Sequence, residues 1–269
     1  VQQSVPRAVG LLLLALTFFA ALDATAKYLL LYSGLPVTQI VWVRFLGQLA
    51  AIVVVLGLVS LPKLLRSAKP SHQLARSVFL LGSTAFNFLA LRHLRLDQTT
   101  TISFLGPLVV ALLAGPFLGE WVGWRRLVAI LVGFCGVLIA VRPGVGTFEP
   151  AFLFAFAGVA SYACFTLLTR YLAPHDSSET TLFYSLLVGA IAVAPFALMD
   201  WVTPTGATTI LLMVALGLFG GAGHFVFIVA FRYAPAPVIV PFTYFSLITY
   251  AGAGWLVFDQ LPDAWTLAG

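Results

Sequence analysis

The sequence predicts an all-α polytopic membrane protein: a ten-helix bundle made of two inverted five-helix repeats, with the tenth helix largely absent from the chain. Three observations carry this. Apolar residues fill 61% of the 269 positions and charged residues 9%, where a soluble domain carries about 25% charge; mean hydropathy is +1.04. The apolar residues gather in runs close to the roughly 20 residues that cross a bilayer. Those runs repeat in the same order along two halves, residues 1–146 and 147–269.

Nine full apolar segments follow one another, at 9–32, 38–60, 74–94, 98–118, 125–142, 151–172, 180–199, 206–230 and 236–258. A tenth begins at Trp265 and stops at Gly269, which a shift of 140 lays on Ala129, inside the fifth segment. Five plus five helices are therefore expected. The same shift lays Ala90 on Ala230, Arg92 on Arg232, Ala111 on Ala251 and Leu127 on Leu267, and Lys27-Tyr28-Leu29 lines up loosely with Arg170-Tyr171-Leu172. With so few shared letters, the repeat rests on the order of its segments. Five crossings is an odd number, so the second half enters from the opposite side, as in many transporters that alternate access around a midplane site. No cleavable signal is expected at the start, because the first apolar segment is too long for a signal h-region.

Lys and Arg in the connections set the orientation. With the N-terminus cytoplasmic, that side holds Arg7, Lys63, Arg66, Lys69, Arg76, Arg125, Arg126, Arg170 and Arg232, and the outer side only Arg92, Arg95 and Arg142. This bias accounts for the formal charge of +5. Nucleic acid is not an expected partner, since no basic run exceeds Arg125–Arg126. Cys135 and Cys164 fall inside apolar segments and read as packing residues, with no disulfide or metal implied.

Ionisable groups inside bilayer segments cost about 2.5–3.5 kcal/mol each on insertion scales and usually face a cavity or a partner. Asp23, Lys27, Arg44 and His224 are such groups. Asp23 and Lys27 stand four apart on one helix face, either as a self-neutralising pair near the outer end or as a polar wall of the substrate pathway. Arg44 either snorkels to the interface or offers its fork to a carboxylate. His224, behind Gly217, Gly220, Gly221 and Gly223, reads first as a histidine bonded to a neighbouring helix and second as a proton relay.

Neutral polar and aromatic groups complete the expected pathway: Asn87, Gln98, Thr101 and Ser103 in the first half, Ser161, Tyr162, Thr166, Tyr244, Ser246 and Tyr250 in the second. Such scattered polar groups among aromatics suit a mostly apolar pocket. The pairs Gly115–Gly119 and Gly217–Gly221 allow close helix approach, and Pro107 and Pro241 remove backbone hydrogen bonds and permit bends. Packing alone and a hinge role both fit these residues. The last helix of each half carries few polar groups, so it packs or dimerises, which leaves a homodimer open.

No GxxxxGK[ST], HExxH or CxxC occurs, so nucleotide-driven pumping, metalloprotease and thiol-redox chemistry lack a signature. The four histidines are scattered, and no catalytic constellation forms. No cofactor or metal is expected, and the protein is not expected to be an enzyme.

Several stretches carry a family resemblance. Ala90–Arg92, Ser103–Pro107, Gly119–Glu120 and Gly133–Gly144, which ends in Arg142-Pro143-Gly144, resemble the second half of a repeat from the EamA family of the drug/metabolite transporter superfamily. The PFTYFSLI…GWLVF…LPDAWTLAG wording of 241–269 resembles the family's second half, except that Phe258-Asp259-Gln260 stands where the family usually has Phe-Gly-Glu. The resemblance implies a multi-pass protein of the bacterial inner membrane, with the lipid bilayer and a small-molecule substrate as partners. It also implies a pathway role for Arg44, since the family has an Arg early in its second helix. The expected function is export of amino acids or related compounds by alternating access. Uptake of a vitamin or nucleoside-like metabolite is the alternative within transport; a non-transporting membrane enzyme or assembly subunit is the alternative outside it.

Overall fold

The computed structural model describes residues 4–57, 61–118, 124–141, 150–172, 175–233, 240–261 and 264–268. Helix α1 spans Val5–Tyr32 and opens on Pro6, whose fixed φ suits a first turn and whose missing N–H would be unbonded there anyway. Helix α2, Val37–Leu56, follows an extended Pro36 and ends at Gly57, where φ is 75°; a side chain there would meet the left-handed penalty. The short α3 is Leu61–Leu64. Then come α4 (Pro70–Leu91), α5 (Leu96–Ser103), α6 (Leu105–Leu118) and α7 (Trp124–Val141). The second half holds α8 (Ala151–Leu172), α9 (Ser178–Met199), α10 (Ala207–Tyr233), a 3-10 segment Val240–Phe245, α11 (Ser246–Phe258) and α12 (Ala264–Ala268).

Among the described residues, α1, α2, α4, α8, α9 and α10 are long and apolar enough to cross a membrane. Two expected spans are instead interrupted. The fourth breaks at Phe104 into α5 and α6, and the described part of the ninth, from Val240, is 3-10 helix before α11. The cause of the first break is local. Hydroxyls of Thr99, Thr100 and Ser103 bond back to helix carbonyls, and the Phe104 N–H is shared between Thr100 and Thr101 carbonyls. Pro107 then offers no N–H to continue the ladder. The second break holds Pro241, and Ser246 donates back to the Thr243 carbonyl at 2.7 Å. Under the shift of 140, Phe104 falls on Tyr244, so the two interruptions occupy corresponding positions of the two halves.

The chain divides into two compact units. One comprises Val1–Leu61 with Ala190–Gln260, the other Pro62–Gly189 with Leu261–Gly269. Each unit therefore draws on both sequence halves, and the second runs continuously through residues 146 and 147. In the first unit α1 lies along α10, with Ala8, Leu12, Leu16 and Ala230 buried between them. Helices α2 and α10 approach so closely that a Cβ on Gly217 would stand 2.7 Å from the Gly47 Cα. Small residues give this approach where no water drives helices together. In the second unit Ala90, Ile102 and Leu105 pack with Ala151, Phe152 and Val159.

Hydrogen bonds near helix ends tie distant parts of the chain together within each unit. In the first, the Ser4 N–H donates to the Tyr233 carbonyl at 3.0 Å. At the other end the Gln39 amide donates to the Val202 carbonyl at 2.8 Å and accepts the Val202 N–H at 3.0 Å. In the second, Tyr184 Oη donates to the Leu65 carbonyl at 2.7 Å.

Candidate functional site

The first unit gathers the intramembrane charges. Asp23 on α1 is buried and accepts a hydrogen bond from Tyr250 Oη of α11 at 2.9 Å. Arg44 on α2, 5% exposed, donates from Nη2 to His224 Nε2 of α10 across 3.2 Å. Because a guanidinium only donates, that imidazole nitrogen accepts and carries no proton. The Asp23 carboxylate and Tyr250 also act electrostatically on Arg44. Phe19 meets His224 edge-on, with ring centroids 4.9 Å apart. The Arg44 guanidinium thus turns inward to other helices; it does not run outward along its own helix.

Lys27, also buried, reaches the other end of α11. Its Nζ donates to Gln260 Oε1 at 3.4 Å and stands 5.2 Å from the Phe258 ring centroid. Four helices therefore bring Asp23, Arg44, His224 and Tyr250 together, with Lys27 one turn from Asp23. Sequence reasoning did not select Gln260 or Phe258. The signal was present, since Gln260 stands in the position where the resemblance shows an acid.

Other expected pathway residues are placed differently. Thr166 donates to the Tyr162 carbonyl at 2.8 Å, and Ser103 to the Thr99 carbonyl at 2.8 Å. Their donors serve their own helices. Gln98 accepts the Arg95 N–H at 3.1 Å and so caps α5. Thr101 is buried and Tyr244 is exposed. In the second unit, Ser161 Oγ stands 3.2 Å from a Cβ position on Gly82, the Tyr162 ring 3.3 Å from one on Gly106, and the Asn87 backbone N 3.6 Å from one on Gly158. Gly115 is buried in α6 and Gly221 faces Ala51 at ordinary distance. Pro107 and Pro241 lie at the two interruptions, and Gly119 and Glu120 lie outside the described residues.

The second unit has its own polar cluster at the α4 end that meets the α8–α9 turn. Arg76, counted above with the connections, is instead buried within α4. It donates to Thr169 Oγ1 at 2.6 Å, to the Thr181 carbonyl at 3.0 Å and to Ser185 Oγ at 2.5 Å. Beside it Gln73 Nε2 bridges Asp176 and Thr181. Asp176 is half-buried, which raises its carboxyl pKa. Hydrogen bonds from Ser67, Gln73 and the Ala68 N–H, with the charge of His175, outweigh that effect and hold it below the ordinary 3.8.

Apolar helices of spanning length, interrupted helices at corresponding positions and a buried charge cluster define a multi-pass membrane protein with a polar interior. The family model of the EamA-like transporter family matches residues 6–142 and again 149–269, and the chain belongs to that family. It is 31% identical to an S-adenosylmethionine uptake transporter of Rickettsia bellii, over 97% of this chain and 88% of that protein. It is 30% identical to a riboflavin transporter of Vibrio cholerae, over 91% of this chain and 82% of the other. A pseudopaline exporter of Pseudomonas aeruginosa is 26% identical over 68% of this chain and 64% of its own length. A solved crystal structure superposes with a TM-score of 0.70 over 100% of this chain and 94% of its own, at 18% identity, a likeness of fold. Family and relatives point to a small-molecule transporter of the membrane, not to an enzyme.

Proposed function

We propose that the protein is a secondary transporter that takes up a small amino-acid-containing metabolite across the bacterial inner membrane by alternating access, with its N-terminus cytoplasmic. The observation that carries this is the pairing of opposite charges inside spanning helices. Arg44 can hold a carboxylate through its planar fork, and Asp23, oriented by Tyr250, can hold an ammonium. Keeping both charges in the hydrocarbon zone is costly unless they serve each other or a cargo. S-adenosylmethionine, named in the Rickettsia relative, joins such an amino-acid end to a nucleoside, which supports the reading and favours uptake over the expected export. Interrupted helices in corresponding halves are also the sequence feature that points to transporter binding sites. Export of an amino-acid derivative is the second reading, favoured by the pseudopaline exporter among the relatives.

The test is counterflow in proteoliposomes preloaded in turn with S-adenosylmethionine, methionine, riboflavin and nucleosides. Signal for the amino-acid-bearing compounds, lost in Asp23→Asn and Arg44→Gln at normal expression, is expected. Normal transport in both variants would remove the charge cluster from the pathway. Flux of riboflavin alone would move the substrate class to vitamins.

A further inference from the structure

Gln48 breaks the rule that buried polar groups are bonded. It is fully buried on α2, and neither its Nε2 nor its Oε1 has a hydrogen-bond partner. It lies one turn beyond Arg44 on the same face of the helix. Its amide is shut between α1 and α10: a Cβ on Gly220 would meet Gln48 Nε2 and, at 2.8 Å, Gln48 Cδ, and would stand 2.9 Å from Leu22 Cδ1. Leu22 precedes Asp23, and Gly220 lies one turn before His224. The amide therefore borders the charge cluster and sits against helix backbone that has no side chain in the way.

A leucine or methionine of similar volume would fill this place without stranding a donor and an acceptor. A local rule broken with no structural gain is the pattern expected of a functional residue. A carboxamide presents one donor and one acceptor side by side, the geometry that reads adjacent donor and acceptor atoms on a heteroaromatic edge, as glutamine reads adenine.

We propose that Gln48 is a cargo-recognising residue that bonds the donor–acceptor edge of a heteroaromatic ring when α10 draws back from α2. The inference rests on the transport reading above and adds a specificity element to it. Arg44 and Asp23 hold the charged end of the cargo, and Gln48 selects cargo that also carries a purine-like or flavin-like ring. In the packed state shown here the amide waits unbonded, so it disfavours this state and is satisfied in the loaded one.

The experiment compares wild type with Gln48→Leu and Gln48→Met, full chains purified in detergent and reconstituted in liposomes. Thermal unfolding without cargo is read beside concentration-dependent uptake of S-adenosylmethionine, riboflavin and methionine. The expected result is a Tm raised by about 2–4 °C in at least one variant, the shift that loss of an unbonded amide gives in a chain of this size. Half-saturation for ring-bearing cargo is expected to rise at least about tenfold, the discrimination lost with one bidentate contact, while that for methionine stays as in wild type. Wild-type half-saturation for ring-bearing cargo in both variants would overturn the proposal and leave the transport reading intact. A fall in Tm in both would overturn it too, since it would mean the amide is bonded in this state. A wild-type protein that moves none of the three would sink the transport reading and this inference with it.

Discussion

Replacing Gly217 by alanine tests the close approach of α2 and α10 in the first unit. A Cβ there would stand 2.7 Å from the Gly47 Cα and 3.0 Å from the Gly47 carbonyl carbon. Carbon atoms in contact prefer about 3.5–4.0 Å, so the two backbones must part by roughly 1 Å. Backbone atoms cannot rotate away as a flexible side chain would. Overpacking of this kind costs about 1–3 kcal/mol, and the better helix propensity of alanine returns about 1 kcal/mol. A net loss of about 1–2 kcal/mol is expected, because the clash is with backbone and the upper part of the range applies. That is a fall in Tm of roughly 2–8 °C for a chain of this length. Gly252→Ala is the matched control, since nothing lies within 4 Å of its Cβ position. It should raise stability by about 0.4–1 kcal/mol through the unfolded state. Thermal unfolding of both variants in one detergent decides the matter. If Gly217→Ala is as stable as wild type while Gly252→Ala behaves as stated, the α2–α10 contact is not as drawn and the placement of Arg44 beside His224 loses its support.

Three further outcomes follow from the polar clusters. Tyr250→Phe removes the donor to Asp23, a bond to a charged group worth about 1.5–3 kcal/mol, so substrate affinity should fall roughly 10- to 150-fold with little change in fold; unchanged half-saturation in liposomes would speak against Asp23 as a substrate contact. The Asp176 carboxyl titrates below 3.8, so the native state holds fewer protons than the unfolded one just under that value. Stability is then fully present above the ordinary pKa and is lost as pH falls through the lower native one; Asp176→Asn should flatten the acid limb of Tm against pH, and an unaltered limb would contradict the Ser67–Gln73 network. Arg76→Lys cannot reproduce a fork that reaches Thr169, Thr181 and Ser185 together, and a loss of about 1–3 kcal/mol in thermal unfolding is expected.

The sequence by itself determined that the chain crosses a membrane several times, because burial in lipid demands apolar runs of a fixed length and leaves charges only where they serve something. Asp23, Lys27, Arg44 and His224 stood out on that ground alone. The family was legible too, in Ser103–Pro107 and the PFTYFSLI stretch. Tertiary structure decided which of those charges meet. Spacing along a helix relates Asp23 to Lys27 but says nothing of Tyr250 or Gln260, which are more than 200 residues away and arrive only through packing. Packing also exposed Gln48 as an unbonded amide, since an amide in a run of apolar letters is unremarkable until its neighbours are known. The helix breaks at Phe104 and Phe245 were hidden for a different reason: hydropathy reads length and apolarity, and it is blind to hydroxyls and prolines redirecting the backbone ladder. Arg76 shows the same limit from the other side, a cation that looks like a connection residue and is buried because three neutral oxygens from α8 and α9 converge on it.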